Sequence, residues 1–198
     1  MPSSVTPSSN VVGLIMAAGY STRFGADKRR AQLTENQTLL QATVAMTRSV
    51  FKAFYVVLRS DDEESDLGLG TEPVIYAPEE PIGLGTSIAA AFHHLQANNK
   101  DATSAAVLLG DMPWIKPDAF SALLNHARED TIIRPVYDGN AGHPVLFGRD
   151  FWPELASLHG DLGARNIIRK HHSACRLIPV SDVGVLRDVD RPEDLSVL

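Results

Sequence analysis

The chain reads VVGLIMA from Val11 to Ala17 and continues directly into AGYSTRFGADKRR. An unbroken apolar run of this kind suits a strand covered on both faces, the pattern of a parallel sheet. Its end is unusual: small residues leave the backbone bare, and Arg23, Lys28, Arg29 and Arg30 crowd behind them. Comparable apolar runs recur at 54–58, 74–76, 105–109 and 131–136, with helical periodicity at 39–50, 87–97 and 117–127, the last carrying Pro117 in its first turn. Strands alternating with helices predict an α/β domain with a mostly parallel sheet.

The second half departs from strict alternation. In RPVYDGNAGHPVLF, Asp138 and Gly139 supply turn chemistry between two strand-like pieces, which predicts a hairpin or an antiparallel excursion. Helical stretches follow at 150–158 and 163–170, then a strand at 176–180 and a short terminal helix from Pro192.

The chain has 198 residues with 44% hydrophobic content, enough for one sizeable core. A single domain over 11–198 is expected, preceded by a flexible tail over 1–10, MPSSVTPSSN, which lacks the cationic start and apolar stretch of a signal peptide. A net charge of -6 and a pI near 5.6 argue against nucleic acid or an anionic membrane as partner. No apolar run approaches a bilayer span. The lone Cys175 forms no internal disulfide, so a cytoplasmic protein is expected.

In open α/β sheets, ligands bind outside the carboxyl ends of the strands, and three stretches of unusual composition fall there. In the first, 17–28, Ala17, Ala18 and Gly19 allow close approach, successive N–H groups can form an anion-binding nest, and Arg23 and Lys28 add charge suited to a phosphate chain. The same residues also read as a glycine turn with solvated charges. The segment is neither a P-loop, since Gly25 is one residue too far from Gly19 and no Lys-Ser/Thr follows it, nor G-x-G-x-x-G. In the second, VLLGDMPWI, Asp111 ends a strand where a carboxylate can hold a hard cation such as Mg2+, or simply start a turn. Its possible partner is LRDVDRPEDL, where Asp188 and Asp190 share one side of an extended strand, while Asp190 with Glu193 also reads as a helix cap. In the third, PIGLGTSIAAAF, Gly83 and Gly85 open the backbone before a helix with Thr86 or Ser87 at its N-cap, an arrangement that can receive a flat heterocycle or be a plain loop.

Adjacent His93 with His94, and His171 with His172, diverge on a helix and are expected at the surface rather than on a metal. His143, between Gly142 and Pro144, is the better candidate for ligand contact. Cys175 reads as an inert buried thiol.

Together, LIMAAGYSTRFGADK, GLGTSI, GDMP, GHPVLFGR, GDLGAR and RDVDRPEDL, in that order, resemble the molybdenum cofactor nucleotidyltransferases. The last pieces, and Ala18 where the guanylyltransferase branch carries glycine, look most like its cytidylyltransferases. The resemblance implies a three-layer Rossmann-like nucleotidyltransferase fold and Mg2+-dependent transfer from CTP to a molybdopterin-type acceptor, with release of pyrophosphate. It places Arg23 and Lys28 on the triphosphate, Asp111 and Asp190 on the metal, 83–87 along the base, and His143, Asp161 and Arg165 towards the acceptor. A molybdoenzyme or its maturation chaperone is the implied protein partner.

Two positions depart from the family. RRAQL follows Lys28 where the family turns apolar, leaving Arg29 and Arg30 for another role or the surface. Arg191 replaces a common Thr, which could draw Asp190 into capping. The rival functions are a same-fold transferase using GTP or a sugar phosphate, a non-catalytic accessory protein for the cofactor, and a dinucleotide-dependent oxidoreductase, the last disfavoured by the missing glycine fingerprint.

Overall fold

The structure is a computed structural model describing residues 8–79 and 83–196. Its parallel strands are β1 (Ser8–Met16), β4 (Phe51–Leu58), β5 (Val74–Tyr76), β6 (Ser104–Leu109), β7 (Ile132–Tyr137) and β10 (Cys175–Pro179). They join β8 (Asn140–Ala141) and β9 (Val145–Gly148) in a sheet ordered β10-β7-β9-β6-β1-β4-β5, with β8 on β7. β2 (Gln32–Thr34) and β3 (Gln37–Thr38) make a separate small hairpin. Among the described residues, only β8 and β9 oppose the direction of the main sheet. The expected antiparallel excursion therefore exists, and it turns where expected: Asp138 and Gly139 both have positive φ, 47° and 76°, between the paired Tyr137 and Asn140. That geometry belongs to the two-residue turn whose twist matches a hairpin.

Among the described residues five α-helices, α1 (Leu39–Val50), α2 (Leu84–Asn98), α3 (Pro117–Leu124), α4 (Trp152–Leu155) and α5 (Arg165–Lys170), cover the sheet. β1 shows why its sequence is apolar throughout. Val11, Ile15 and Ala17 pack on the side of α1 and α3, whereas Val12, Leu14 and Met16 pack on the side of α2 and α4. The result is a three-layer, Rossmann-like α/β arrangement. Gly13 lets α1 come close: a Cβ there would stand 3.1 Å from Thr47 and from Phe54.

Helix α1 occupies the predicted 39–50 and is closed by a capping box in which Gln41 N donates to Thr38 Oγ1 and Thr38 N donates to Gln41 Oε1. α2 corrects the sequence reading. It begins at Leu84 behind Gly83, so Thr86 and Ser87 lie inside the first turn and neither is the N-cap. Ser8–Asn10, expected in a flexible tail, belong to β1, where Asn10 O accepts from Thr103 N at 2.8 Å. Residues 1–7 of that tail, and Pro81 and Ile82 of the glycine stretch, lie outside the described residues. Cys175 is half-buried at the start of β10, with its thiol pushed up by burial, rather than fully enclosed. No helix among the described residues is long and apolar enough to cross a membrane.

In the loop between β8 and β9, His143 N donates to Val185 O, and the buried Nδ1 has no partner among the described residues. Burial, reinforced by Arg134, holds the imidazole below its ordinary 6.5, against opposing pulls from the Val107 backbone and Asp188.

Leu123 is fully buried on α3 and does not line the cleft at the ends of β1 and β6, so Leu123→Ala should cost about 2–5 kcal/mol while nucleotide binding stays intact, as read by thermal melts and titration. The unfolded chain takes up the His143 proton more readily than the folded one, so this group's contribution to stability is fully present above its unfolded value and lost as pH falls through it. Between about pH 7.5 and about pH 5, wild-type melting temperature should therefore fall more steeply than that of His143→Gln.

Candidate active site

The site forms where β1 and β6, adjacent and in parallel register with Met16 opposite Leu109, end together. Gly110 N donates to Met16 O at 3.0 Å, and a Cβ on Gly110 would press on that carbonyl at 3.1 Å. Glycine here brings the next residue, Asp111, against the loop that leaves β1. The C-terminal segment closes the third side, because Val189 N donates to Asp111 O at 3.2 Å.

Lys28 ties these segments together. Its ammonium donates to Asp111 Oδ2 at 2.5 Å and to Val189 O at 2.8 Å, and stands 3.8 Å from Asp190 Oδ1. Arg23 Nη1 donates to the other Asp190 oxygen at 2.7 Å, with the Arg23 side chain 72% exposed. The cap expected at Asp190 is made by another residue: Asp194 accepts from the backbone N–H groups of Asp190 and Arg191 at 3.0 and 2.8 Å. The Asp190 side chain is thereby left facing the two cations.

Ala17, Ala18, Gly19, Arg23 and Lys28, together with Gly83, Ser87, Asp111, Asp161 and Asp190, line one cleft of ≈ 390 Å³. The backbone N–H groups of Ala18 to Arg23 find no acceptor among the described residues. A Cβ on Gly19 would meet nothing within 4 Å, so the space before it is open to a ligand. Unpaired backbone donors, with the exposed Arg23 and with Lys28 beside them at an open cleft, favour an anionic chain.

Asp111 is the acidic counterpart. Burial pushes its carboxyl up, the Lys28 charge and hydrogen bond pull it back, and Asp188 pushes it up again. Its Oδ1 is buried and without a partner among the described residues. An orphaned carboxylate oxygen of this kind suits a hard cation. Among the described residues no group of three or more His, Cys, Asp or Glu is arranged around a metal position. Asp111 with Asp190 nevertheless fits Mg2+, which takes one or two carboxylates and completes its shell with water and phosphate.

Four of the predicted residues fall outside the cleft lining. Gly85 N donates to Gly160 O at 2.7 Å, and Thr86 Oγ1 accepts from Gly160 N at 3.2 Å. Both hold the loop that carries Asp161 against α2 instead of presenting an edge to a ligand. His143 lies outside the lining with its imidazole against the Val107 backbone, Arg134 and Asp188, and Arg165 is exposed at the start of α5. The sequence reading also missed Val189, whose contribution is a main-chain carbonyl and so leaves no side-chain signal. It missed the partners of Arg29, Asp27 and Asp62, as well as Arg59, whose guanidinium lies 4.7 Å over the ring of Tyr20 at the cleft mouth.

Residues 13–175 match the MobA-like NTP transferase domain. The purine catabolism protein PucB of Bacillus subtilis (strain 168) is 25% identical over 201 residues, covering 95% of each chain. The molybdenum cofactor cytidylyltransferase of Escherichia coli (strain K12) is 25% identical over 186 residues, 91% of each. The crystal structure of the Mycobacterium tuberculosis rv0371c homolog from Mycobacterium sp. strain JC1 superposes with a TM-score of 0.78 at 32% identity, over 93% of this chain and 92% of that one. With its fold, its cleft and a family match over most of its length, the chain belongs to the MobA-like NTP transferase family and is a nucleotidyltransferase.

Proposed function

We propose that this nucleotidyltransferase moves a cytidylyl group from CTP to the terminal phosphate of molybdopterin, with Mg2+ as cofactor and pyrophosphate as the leaving group. The observation that carries the reading is the convergence of unpaired backbone donors, Arg23 and Lys28 with the orphaned Asp111 oxygen in one cleft. Likeness over nearly full length to a molybdenum cofactor cytidylyltransferase supports the acceptor and donor. Ala18, as the second alanine of the AAG triplet, favours the cytidylyl branch.

The chemistry asks little of the protein beyond alignment and charge. An acceptor phosphate, with a second pKa of about 6, is already largely ionised near neutral pH and attacks without a general base. This agrees with the absence of a nucleophile-and-base pair among the residues lining the cleft. The backbone N–H groups after Ala17 and the Arg23 fork bind the triphosphate and hold it in line with the acceptor. Lys28, which pairs with Asp111, directs its positive charge towards the departing pyrophosphate. Bound Mg2+, held by Asp111 and Asp190, would neutralise phosphate charge. Asp161 sits at the cleft on the loop pinned by Gly85 and Thr86, where it can orient the acceptor.

Pyrophosphate release measured with each of the four nucleoside triphosphates, with and without molybdopterin, tests the reading. Release with CTP only when molybdopterin is present is the expected outcome. Release with GTP, or with a sugar phosphate as acceptor, would replace the donor or acceptor named here. Tight pterin binding without any release would instead make the chain an accessory protein. Asp111→Ala should abolish release in a protein that still melts cooperatively, and near-normal turnover would remove Asp111 from the metal. Lys28→Ala should lower the rate at saturating nucleotide by about 2–4 kcal/mol of transition-state stabilisation, checked by steady-state kinetics.

A further inference from the structure

Arg29 stands beside Lys28 in a single 3-10 turn (Lys28–Arg30), yet its side chain leaves on the other side of the loop and is only 4% exposed. Its guanidinium uses every donor it has. Nε donates to Asp27 Oδ1 at 2.8 Å. Nη1 donates to Ala17 O at 2.9 Å and to Asp62 Oδ2 at 2.5 Å, while Nη2 donates to Asp27 Oδ2 and to Asp62 Oδ1, both at 2.7 Å. A guanidinium carries five N–H groups in a fixed fork, and here all are spoken for, so none is left for a ligand although the residue borders the cleft.

The three partners lie on different segments. Ala17 is the last residue before the anion-binding loop, Asp27 closes that loop as N-cap of the 3-10 turn, and Asp62 lies beyond β4. Arg59 meets the same two carboxylates from a second side, with Nη2 at 3.3 Å from Asp27 Oδ2 and 3.1 Å from Asp62 Oδ1. Two arginines and two aspartates thus balance in charge, and each buried group keeps its partners, the condition under which a buried ion network holds a geometry. Between the fixed ends at Ala17 and Asp27, the arc from 18 to 26 is tethered by the Phe24 N to Ser21 O bond and the Arg23–Asp190 pair, with Arg59 over Tyr20. Arg30 is half exposed at the rim of this network, 3.9 Å from Asp27 Oδ2 and paired with the exposed Asp66 at 3.2 Å.

We infer that Arg29 is a positioning residue for the triphosphate: clamped to Ala17, Asp27 and Asp62, it frames the 18–28 loop so that the loop's backbone donors and Lys28 face the same anion. The inference rests on the nucleotidyl-transfer reading of the cleft. Lysine cannot replace arginine here, because one ammonium cannot serve two carboxylates in bidentate fashion and a carbonyl besides.

The test is calorimetric titration of the full chain with the Mg2+ complexes of CTP, GTP, ATP and UTP, for the wild type, Arg29→Lys, Asp62→Asn and Leu123→Ala. Far-ultraviolet circular dichroism and melting temperature are recorded on each. Outer partners that orient metal ligands are worth about 10–100-fold in affinity, and by analogy a loss of that order is expected for Arg29→Lys and Asp62→Asn. Leu123→Ala should melt lower but bind the triphosphate as the wild type does. In kinetics, the KM for nucleotide should rise in Arg29→Lys while the KM for the acceptor stays fixed. Wild-type nucleotide affinity in a folded Arg29→Lys, or in Asp62→Asn should Arg29→Lys not fold, overturns the inference and leaves the nucleotide reading standing. An equal loss in Leu123→Ala overturns it as mere destabilisation. A wild type that binds none of the four nucleotides overturns both readings together.

Discussion

The Lys28–Asp111 ion pair holds the active cleft in one piece. It joins the loop after β1 to the loop after β6, and the same ammonium reaches Val189 O and approaches Asp190 in the C-terminal segment. These groups are 83 and 161 residues apart in the chain, so the pair closes on the product of the entire sheet rather than on a local motif. Removing either partner would leave a poorly solvated charge behind, which is why such a pair is strongly coupled to the geometry around it. Burial pushes the Asp111 carboxyl above its ordinary value, and the Lys28 charge and hydrogen bond oppose that push.

The four cations after β1 separate by burial and partner. Arg23 is exposed and reaches into the cleft; Lys28 is half-buried and bridges the acidic residues. Arg29 is buried and saturated, while Arg30 is at the surface with Asp66. Physical burial thus sorts a run of like charges into ligand-facing, bridging, framing and solvent-facing members. The glycines around the cleft divide in the same manner. Gly19 faces open space, whereas Gly83 and Gly85 have no room for a Cβ because the loop at Gly160 lies against them.

Much of the fold was legible because its signals are local. The seven-residue apolar run of β1 demands cover on both faces and receives it from two separate core clusters. The 39–50 periodicity became α1 with its boundaries intact, since Thr38 and Gln41 close the helix within one turn. Asp138-Gly139 turned the hairpin because those residues accept positive φ. Thr86 and Ser87 were misread as caps because α2 already begins at Leu84: Ser87 Oγ donates back one turn to Gly83 O, and Thr86 Oγ1 accepts from the distant Gly160 N, a contact that no local pattern encodes. Similarly, Asp194 rather than Asp190 took the cap, which freed Asp190 for the cations.

By itself, then, the sequence determined the alternation of strands and helices, the bare loop after β1, and the acidic positions at 111 and 190, since each depends on neighbours within a few residues. Only the tertiary structure decided which of those charges meet. Parallel pairing of β1 with β6 brings two strand ends to one point, and the C-terminal segment folds over them. It also decided that His143 meets the Val107 backbone, Arg134 and Asp188 outside the cleft lining and that Arg29 has no donor to spare for the cleft. The physical reason is the same in each case. Charge and hydrogen-bond partners are satisfied across space, and residues far apart in the chain become neighbours only when the sheet has assembled.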